Sequence, residues 1–417
     1  MVVVLGLLSL IAGLATGRTL FYHLAYLFAT LILLTFLWAW SGVSWVHIKR
    51  QTRARRAQVG RPLEERFAVR NAGIVPKLWL EVHDKSDLPG HLASYVVNAL
   101  PARQERAWTI RTICRERGRY TLGPITLRSG DPLGLFQLQR ALEPTSSIVV
   151  YPATVEITSF PLPVGLLPGG DALRRRTHYI TTNAATVRDY VPGDSFNRIH
   201  WRSTARRDRL IVKEFELDPL SDVWVFLDME GSVHAGLPVQ EPVTVDNVPF
   251  WLRPKEFKLP PSTEEYGVCV AASLAQHFLR RDRALGVVSY GQRREVIQAD
   301  RGERQLTKVL ETLAVLRAKG NVPLPEMIRA EAQQLVRGTT VIVVTPSNDV
   351  KWVVATRQME RAGLRVVAII IDGATFGGEE GSAALALQLT SAGAMTYLIK
   401  RDDSLEQVLS QKQGYQW

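Results

Sequence analysis

The sequence predicts an α/β protein: a doubly wound, mostly parallel sheet in its second half, a small β-sandwich ahead of it, and an amino-terminal hairpin of two transmembrane helices. Three observations carry this. Uninterrupted apolar runs, VIVV at 341–344 and VVAIII at 366–371, alternate with segments of helical periodicity, as strands buried on both faces require. Short alternating runs separated by turn residues fill residues 59–152. From Thr19 to Ile48 there is no Lys, Arg, Asp or Glu. The implied divisions are 1–48 (membrane helices), 59–152 (sandwich), 153–218 (linker and an arginine-rich segment) and 219–417 (α/β domain).

A chain of 417 residues exceeds the roughly 250–300 at which single cores stop growing, so more than one domain is expected. Lys and Arg number 51 against 40 Asp and Glu, a net charge of +11 that favours an anionic neighbour. Two cysteines, Cys114 and Cys269, lie far apart in sequence and suit a reducing compartment.

At the amino terminus Met1–Gly17 is uncharged, and Leu20–Trp40 meets the length of about 20 apolar residues that a spanning helix needs. Trp38, Trp40 and Trp45 stand where an interfacial belt would lie, and Lys49, Arg50, Arg53, Arg55 and Arg56 follow. Those cations place the body on the cytoplasmic side of a multi-pass membrane protein whose first partner is the lipid bilayer. A second reading takes residues 1–15 as a signal peptide ending at Gly13-Leu14-Ala15, but the basic segment that should open one is missing.

Sandwich strands are predicted at Arg66–Arg70, Leu78–Val82, Trp108–Ile113, Tyr120–Leu127 and Ile148–Tyr151, with turns between them such as Asn71-Ala72-Gly73 and Arg117-Gly118. The Pro/Gly-rich stretch from Thr158 to Asp171 reads as a linker. Beyond Asp218-Pro219, strands are expected at Asp222–Asp228, Leu285–Tyr290, Glu295–Gln298, Thr339–Thr345, Leu364–Ile371 and Met395–Ile399. Helices should occupy Glu264–Arg283, Gly302–Lys319, Pro325–Arg337, Asp349–Ala362 and Ser382–Ala392. In such sheets ligands bind outside the carboxyl ends of the strands, which marks Asp228, Thr345 and Asp372.

Residues 188–216, RDYVPGDSFNRIHWRSTARRDRLIVKEFE, combine demands that rarely coincide. Val191-Pro192-Gly193-Asp194 suits a type II turn, and Asp194 a cap on the helical turn after it. Ile199 and Trp201 are residues of the kind that anchor a segment by burial. From Arg174 to Lys213 nine Arg and one Lys face three Asp, and guanidinium groups held on a fixed support suit carboxylates or phosphates. The same side chains would also serve as an internal ion-pair network among Arg188, Asp194 and Arg206.

The spacing of Arg188, Tyr190, Gly193 and Asp194, then Arg198, Ile199 and Trp201, then Ala205-Arg206, then Lys213-Glu214, resembles the signature of domain-of-unknown-function family fifty-eight. So does the order of parts, including the element Asp131-Pro132-Leu133-Gly134-Leu135-Phe136. The resemblance implies a von Willebrand factor A-like carboxy-terminal domain. It also implies association with a MoxR-type AAA+ ATPase, alongside a transglutaminase-like membrane protein.

Domains of that kind carry a divalent-cation site of the form D-x-S-x-S after the first strand. Here the chain reads Asp228-Met229-Glu230-Gly231-Ser232, with Gly320-Asn321-Val322 and Thr345-Pro346-Ser347 where the remaining ligands would come. Glu230 restores one hard oxygen for Mg²⁺, two usual contributors are replaced, and the expectation is that no cofactor is held. Phosphate-loop, zinc-protease, nucleophile-elbow and paired C-x-x-C motifs do not occur. A non-enzymatic, membrane-anchored protein-binding module follows, with no nucleic acid expected. The alternatives are an anion- or nucleic-acid-binding protein, and a hydrolase built on the 188–216 segment.

Overall fold

The computed structural model describes residues 1–53, 55–142, 146–161, 184–191, 199–215, 222–238 and 258–410. Contacts divide the chain into two compact units, one built on Met1–Ala153 and one that begins at Thr154.

The first unit opens with two helices. Helix α1, Val2–Thr16, stops at Gly17, whose left-handed φ of 65° turns the chain back, and α2 runs from Thr19 to Val43. They pack as neighbours: a Cβ on Gly6 would touch Phe28, and one on Gly13 would touch Tyr22. At 1.5 Å per residue α1 is about 22 Å long and α2 about 38 Å, against a hydrocarbon core of about 30 Å. Among the described residues α2 alone is long and apolar enough to cross a membrane. The early turn at Gly17 leaves the first of the two expected spans short.

Ten strands follow: β1 Val46–Thr52, β2 Arg56–Gln58, β3 Pro62–Asn71, β4 Lys77–Asp84, β5 Tyr95–Leu100, β6 Glu105–Ile113, β7 Gly118–Leu122, β8 Ile125–Gly130, β9 Gln137–Leu142 and β10 Ser146–Tyr151. They form sheets of order β1-β3-β6, β5-β4-β8-β9 and β2-β10-β7. The first two close over a core that includes Phe67, Val69, Leu80, Val82, Val97 and Leu127. The third shares a smaller core with Val59, Leu63, Leu88 and Cys114. The run expected as one strand at Tyr120–Leu127 is broken by Gly123-Pro124, and its halves enter different sheets.

Arg50 does not face solvent with the other cations after α2. Its side chain is 3% exposed, with Nε 2.8 Å from Glu65 Oε1 and Nη2 3.2 Å from Asp84 Oδ2. His91 Nε2 joins them, 3.0 Å from Asp84 and 3.2 Å from Glu65. A strand residue that points inward must find partners, and the alternation of β1 points Arg50 inward. The end of α2 is seated on the sandwich. The buried Lys77 amine donates to the Ser41 carbonyl in the last turn, and burial pulls that amine below the ordinary lysine range. Gly42 permits the approach, since a Cβ there would lie 2.6 Å from Ser129 Oγ.

The second unit contains β11 Ala184–Asp189, α3 Trp201–Arg207, β12 Ile211–Phe215, β13 Val223–Leu227, α4 Thr263–Leu279, β14 Leu285–Tyr290 and β15 Arg294–Asp300. The chain continues with α5 Gly302–Val315, α6 Leu324–Ala332, β16 Thr340–Thr345, α7 Lys351–Arg361, β17 Arg365–Ile371, α8 Ala383–Ser391, β18 Met395–Ile399 and α9 Leu405–Ser410. Six strands lie in the order β15-β14-β13-β16-β17-β18, all parallel except β15. Trp224, Phe226, Val341, Val343 and Ile370 meet α6, α7 and α8 on one face. On the other, Gly267 of α4 lies against Leu227, Val344 and Ile371. This is a mixed α/β unit with a parallel sheet covered on both sides, as the apolar runs required.

Part of the stretch read as a linker is packed in this unit. Val155 N–H donates to Ser273 Oγ, the Ile157 carbonyl meets His277 Nδ1 at 2.7 Å, and Phe160 stacks on Tyr397. Residues 162–183 lie outside the described residues.

Replacing Asp84 by Ala would leave Arg50 and His91 with one carboxylate between them. The expected loss is about 3–5 kcal/mol, read as a lowered Tm of the detergent-solubilised chain. Burial pushes the Asp84 carboxyl up, but hydrogen bonds from His91 and Ser86 and the Arg50 charge outweigh it and hold it below the usual range. Its contribution in the wild type therefore persists above the ordinary carboxylate pKa and is lost only as pH falls below it.

Candidate functional site

Numbered within the sheet, the strand order is 3-2-1-4-5-6, and it reverses between β13 and β16. Such a reversal opens a crevice at the carboxyl ends of the two strands. Asp228 follows β13, and Thr345 ends β16. Thr345 Oγ1 donates to Asp228 Oδ2 at 2.7 Å, and Glu230 N–H donates to Asp228 Oδ1 at 3.1 Å. Ser347 N–H in turn donates to Thr345 Oγ1 at 2.9 Å. Asp228 is 2% exposed. Burial pushes its carboxyl up to about 6, with the nearby Glu230 charge adding to the rise and the two hydrogen bonds opposing it. Its burial at a strand-end crevice makes Asp228 a candidate functional position.

The loop after Asp228 is tied on both sides. Glu230 bridges to Gly320, where Gly320 N–H donates to the Met229 carbonyl and Gly231 N–H to the Gly320 carbonyl, both at 2.9 Å. A Cβ on Gly320 would lie 2.0 Å from the Tyr290 carbonyl, so only glycine fits. Ser232 Oγ donates to Glu230 Oε1 at 2.6 Å. His234 spans from the Asp228 carbonyl, 3.1 Å from Nε2, to Thr263 Oγ1, 3.0 Å from Nδ1. Asp372, at the end of β17, is buried and accepts from Ser382 N–H at 3.1 Å.

The three residues considered for a cation, Asp228, Glu230 and Ser232, are thus brought together, but as hydrogen-bond partners. Both Asp228 oxygens are engaged, and the Ser232 hydroxyl is turned to Glu230.

The 188–216 segment folds around an antiparallel pair. Arg188 in β11 is opposite Val212 in β12, and Lys213 and Glu214 pair with Val187 and Thr186. Tyr190 N–H continues the pairing to the Leu210 carbonyl. Ile199 is buried and bridges to Val212, as an anchor should. Trp201 is not buried: it is 66% exposed at the first position of α3. His200 Nδ1 caps that helix at Ser203 N–H, which turns the chain so that Trp201 leaves on the outer side. Ala205, Arg206, Arg202 and Arg207 are exposed on α3, and Arg209 pairs at the surface with Asp189. Gly193, Asp194 and Arg198, with the expected turn and cap, lie outside the described residues.

Sequence reasoning reached Asp228, Thr345 and Asp372 through strand ends, and missed His234 and Thr263. The only available signal was Ser262-Thr263 at a helix start, which reads as a cap.

The class defined by these observations is a mixed α/β protein with an apolar amino-terminal helix and a strand-end crevice where the order of its mostly parallel sheet reverses. Residues 186–241, from β11 through the Asp228 loop, match the family described as "Protein of unknown function DUF58", the family its signature resembles. A curated relative, "Uncharacterized protein YeaD" of Bacillus subtilis (strain 168), is 24% identical over 234 residues. That alignment covers 55% of this chain and 50% of YeaD, so the chain spans about half the length of that relative. Among solved structures, BatB from Bacteroides thetaiotaomicron aligns over 46% of this chain and 95% of its own at 13% identity and a TM-score of 0.32. An aerotolerance-related membrane protein from Bacteroides fragilis NCTC 9343 aligns over 44% and 92% at 14% identity and a TM-score of 0.30.

Because the folded protein raises the Asp228 pKa, it favours the neutral acid. The stability this gives is complete below the unfolded value of 3.8 and is lost as pH rises through about 6. Asp228→Asn keeps an acceptor for Glu230 N–H and removes the charge. Its Tm at pH 7.5 should exceed that of the wild type by an amount corresponding to up to about 3 kcal/mol, and the difference should shrink toward pH 4.

Proposed function

We propose that the chain is a membrane-anchored, non-enzymatic docking protein whose carboxy-terminal domain is von Willebrand A-like and engages a protein partner at the β13–β16 crevice. In this reading α2 holds the protein in the membrane with α1 beside it, and the body stands in the cytoplasm. The partner is a MoxR-type AAA+ ATPase, acting in the assembly or maturation of protein complexes. The observation that carries the reading is the Asp228–Thr345 pair at the strand-order reversal, joined to a loop that is hydrogen-bonded on both flanks. A rigid strand-end rim of this kind suits recognition of a folded surface. The signature shared with DUF58 supports the choice of partner, since association with such ATPases is what that resemblance implies.

A second reading has an observation of its own. An exposed Trp201 beside Arg202, Arg206 and Arg207 gives a stacking surface next to exposed cations, which suits an extended anion such as single-stranded nucleic acid.

The two are separable. Full-length protein solubilised from its membrane should capture the ATPase, and Ser232→Arg, at an exposed loop position, should abolish capture while Gln388→Arg on α8 leaves it intact. Capture indifferent to Ser232→Arg overturns the crevice as the docking site. The second reading predicts retardation of an oligonucleotide that weakens steeply with salt and fails in Trp201→Ala.

A further inference from the structure

Helix α2 is not the whole of this chain's contact with lipid. We propose that the turn Asp131–Phe136, with Trp40, Trp45 and Ile74, forms a collar around the foot of α2 that enters the interface of the bilayer the helix crosses. The inference rests on α2 being the span, and its geometry follows from length. Filling a hydrocarbon core of about 30 Å takes about 20 residues at 1.5 Å each, so a helix entering at Thr19 leaves the core near Trp38. Phe36 is therefore still within its last turn. Phe136 packs edge-to-face on Phe36 with ring centroids 5.6 Å apart. The turn that carries Phe136 must then reach the depth of Phe36, about 10 Å back along the helix from Val43.

The composition of the turn fits that depth. Leu133 is 59% exposed, and Leu135 is also open to the surroundings. Its N–H groups from Leu133 to Phe136, by contrast, are satisfied internally. The buried Asp131 carboxylate accepts from Leu133 N–H at 2.9 Å and Phe136 N–H at 2.6 Å, and the Leu135 N–H also reaches it. Gly134 N–H donates to the Asp131 carbonyl at 3.2 Å. A turn that answers its own N–H groups and displays leucines outward can leave water at low cost, whereas one with open amides would lose several kcal/mol per group. Around the rest of the helix foot, Trp40 and Trp45 meet edge-to-face at 5.1 Å, both half exposed, in the role aromatic residues take at membrane interfaces. Ile74, 77% exposed, sits in the loop whose Ala72 N–H donates to the Trp45 carbonyl. Apolar side chains so exposed beside a spanning helix have the bilayer itself as their natural cover.

The test uses the full chain reconstituted in phosphatidylcholine/phosphatidylglycerol vesicles, with an environment-sensitive fluorophore on one introduced cysteine at a time. Cys114 and Cys269 are buried, with thiols pushed up by burial to about 11 and about 12, so the background is low. Probes are placed by Leu133→Cys and Ile74→Cys in the collar, Leu34→Cys on α2, and Ser147→Cys on β10, and are quenched by lipids brominated at shallow or deep acyl positions. The expected result is several-fold stronger shallow-lipid quenching at 133 and 74 than at 147, and deep-lipid quenching at 34. Quenching at 34 with positions 133 and 74 no different from 147 overturns the collar and leaves the span standing. No quenching at 34 removes the span, and the collar falls with it.

Discussion

Everything in the second unit is arranged around the place where its sheet changes direction. A parallel sheet covered on both faces exposes its backbone only at strand ends, and a reversal of order is where two adjacent ends are left without a crossover above them. Asp228 and Thr345 occupy that gap and answer each other across it. The loops from Met229 to Gly231 and through Gly320 are held there by backbone bonds, so the rim is set by main chain more than by side-chain rotamers. A carboxyl pushed up to about 6 in such a position is a standing cost, since the pairing with Thr345 does not offset its burial.

The first unit meets a different constraint with similar means. A long apolar helix must hand over its last carbonyls to something, and here a buried lysine takes one of them. Close approach at Gly42 brings the sandwich against the final turn of α2. Nearby, four buried ionisable groups cluster between the sheets, where Arg50 offers its fork to two carboxylates and His91 closes the set.

What the sequence revealed follows from which interactions are local. The strands of the α/β unit were legible because a doubly covered strand writes itself as an unbroken apolar run, as in Val341–Val344 and Val366–Ile371. Strand ends then pointed to Asp228, Thr345 and Asp372 with no knowledge of the fold's details. Arg50 was misread because a basic residue after an apolar helix looks like a topology signal, and only its strand partners reveal it as buried. Trp201 was misread for the converse reason: tryptophan usually goes inside, and the capping turn at His200 that carries it outward is a matter of a few dihedrals. The split of Tyr120–Leu127 at Gly123-Pro124 was foreshadowed by the dipeptide itself.

The loop that leaves β13 returns to the start of α4 through a closed neck. Gly236 bridges to Ser262, Leu237 N–H donates to the Pro261 carbonyl, and His234 holds Thr263. Whatever chain joins the two sides of that neck is attached at a point already fixed, so its length and composition are decoupled from the sheet beneath. Loop-closure entropy grows only with the logarithm of length, which makes this a position where related chains can diverge widely in size without disturbing the crevice.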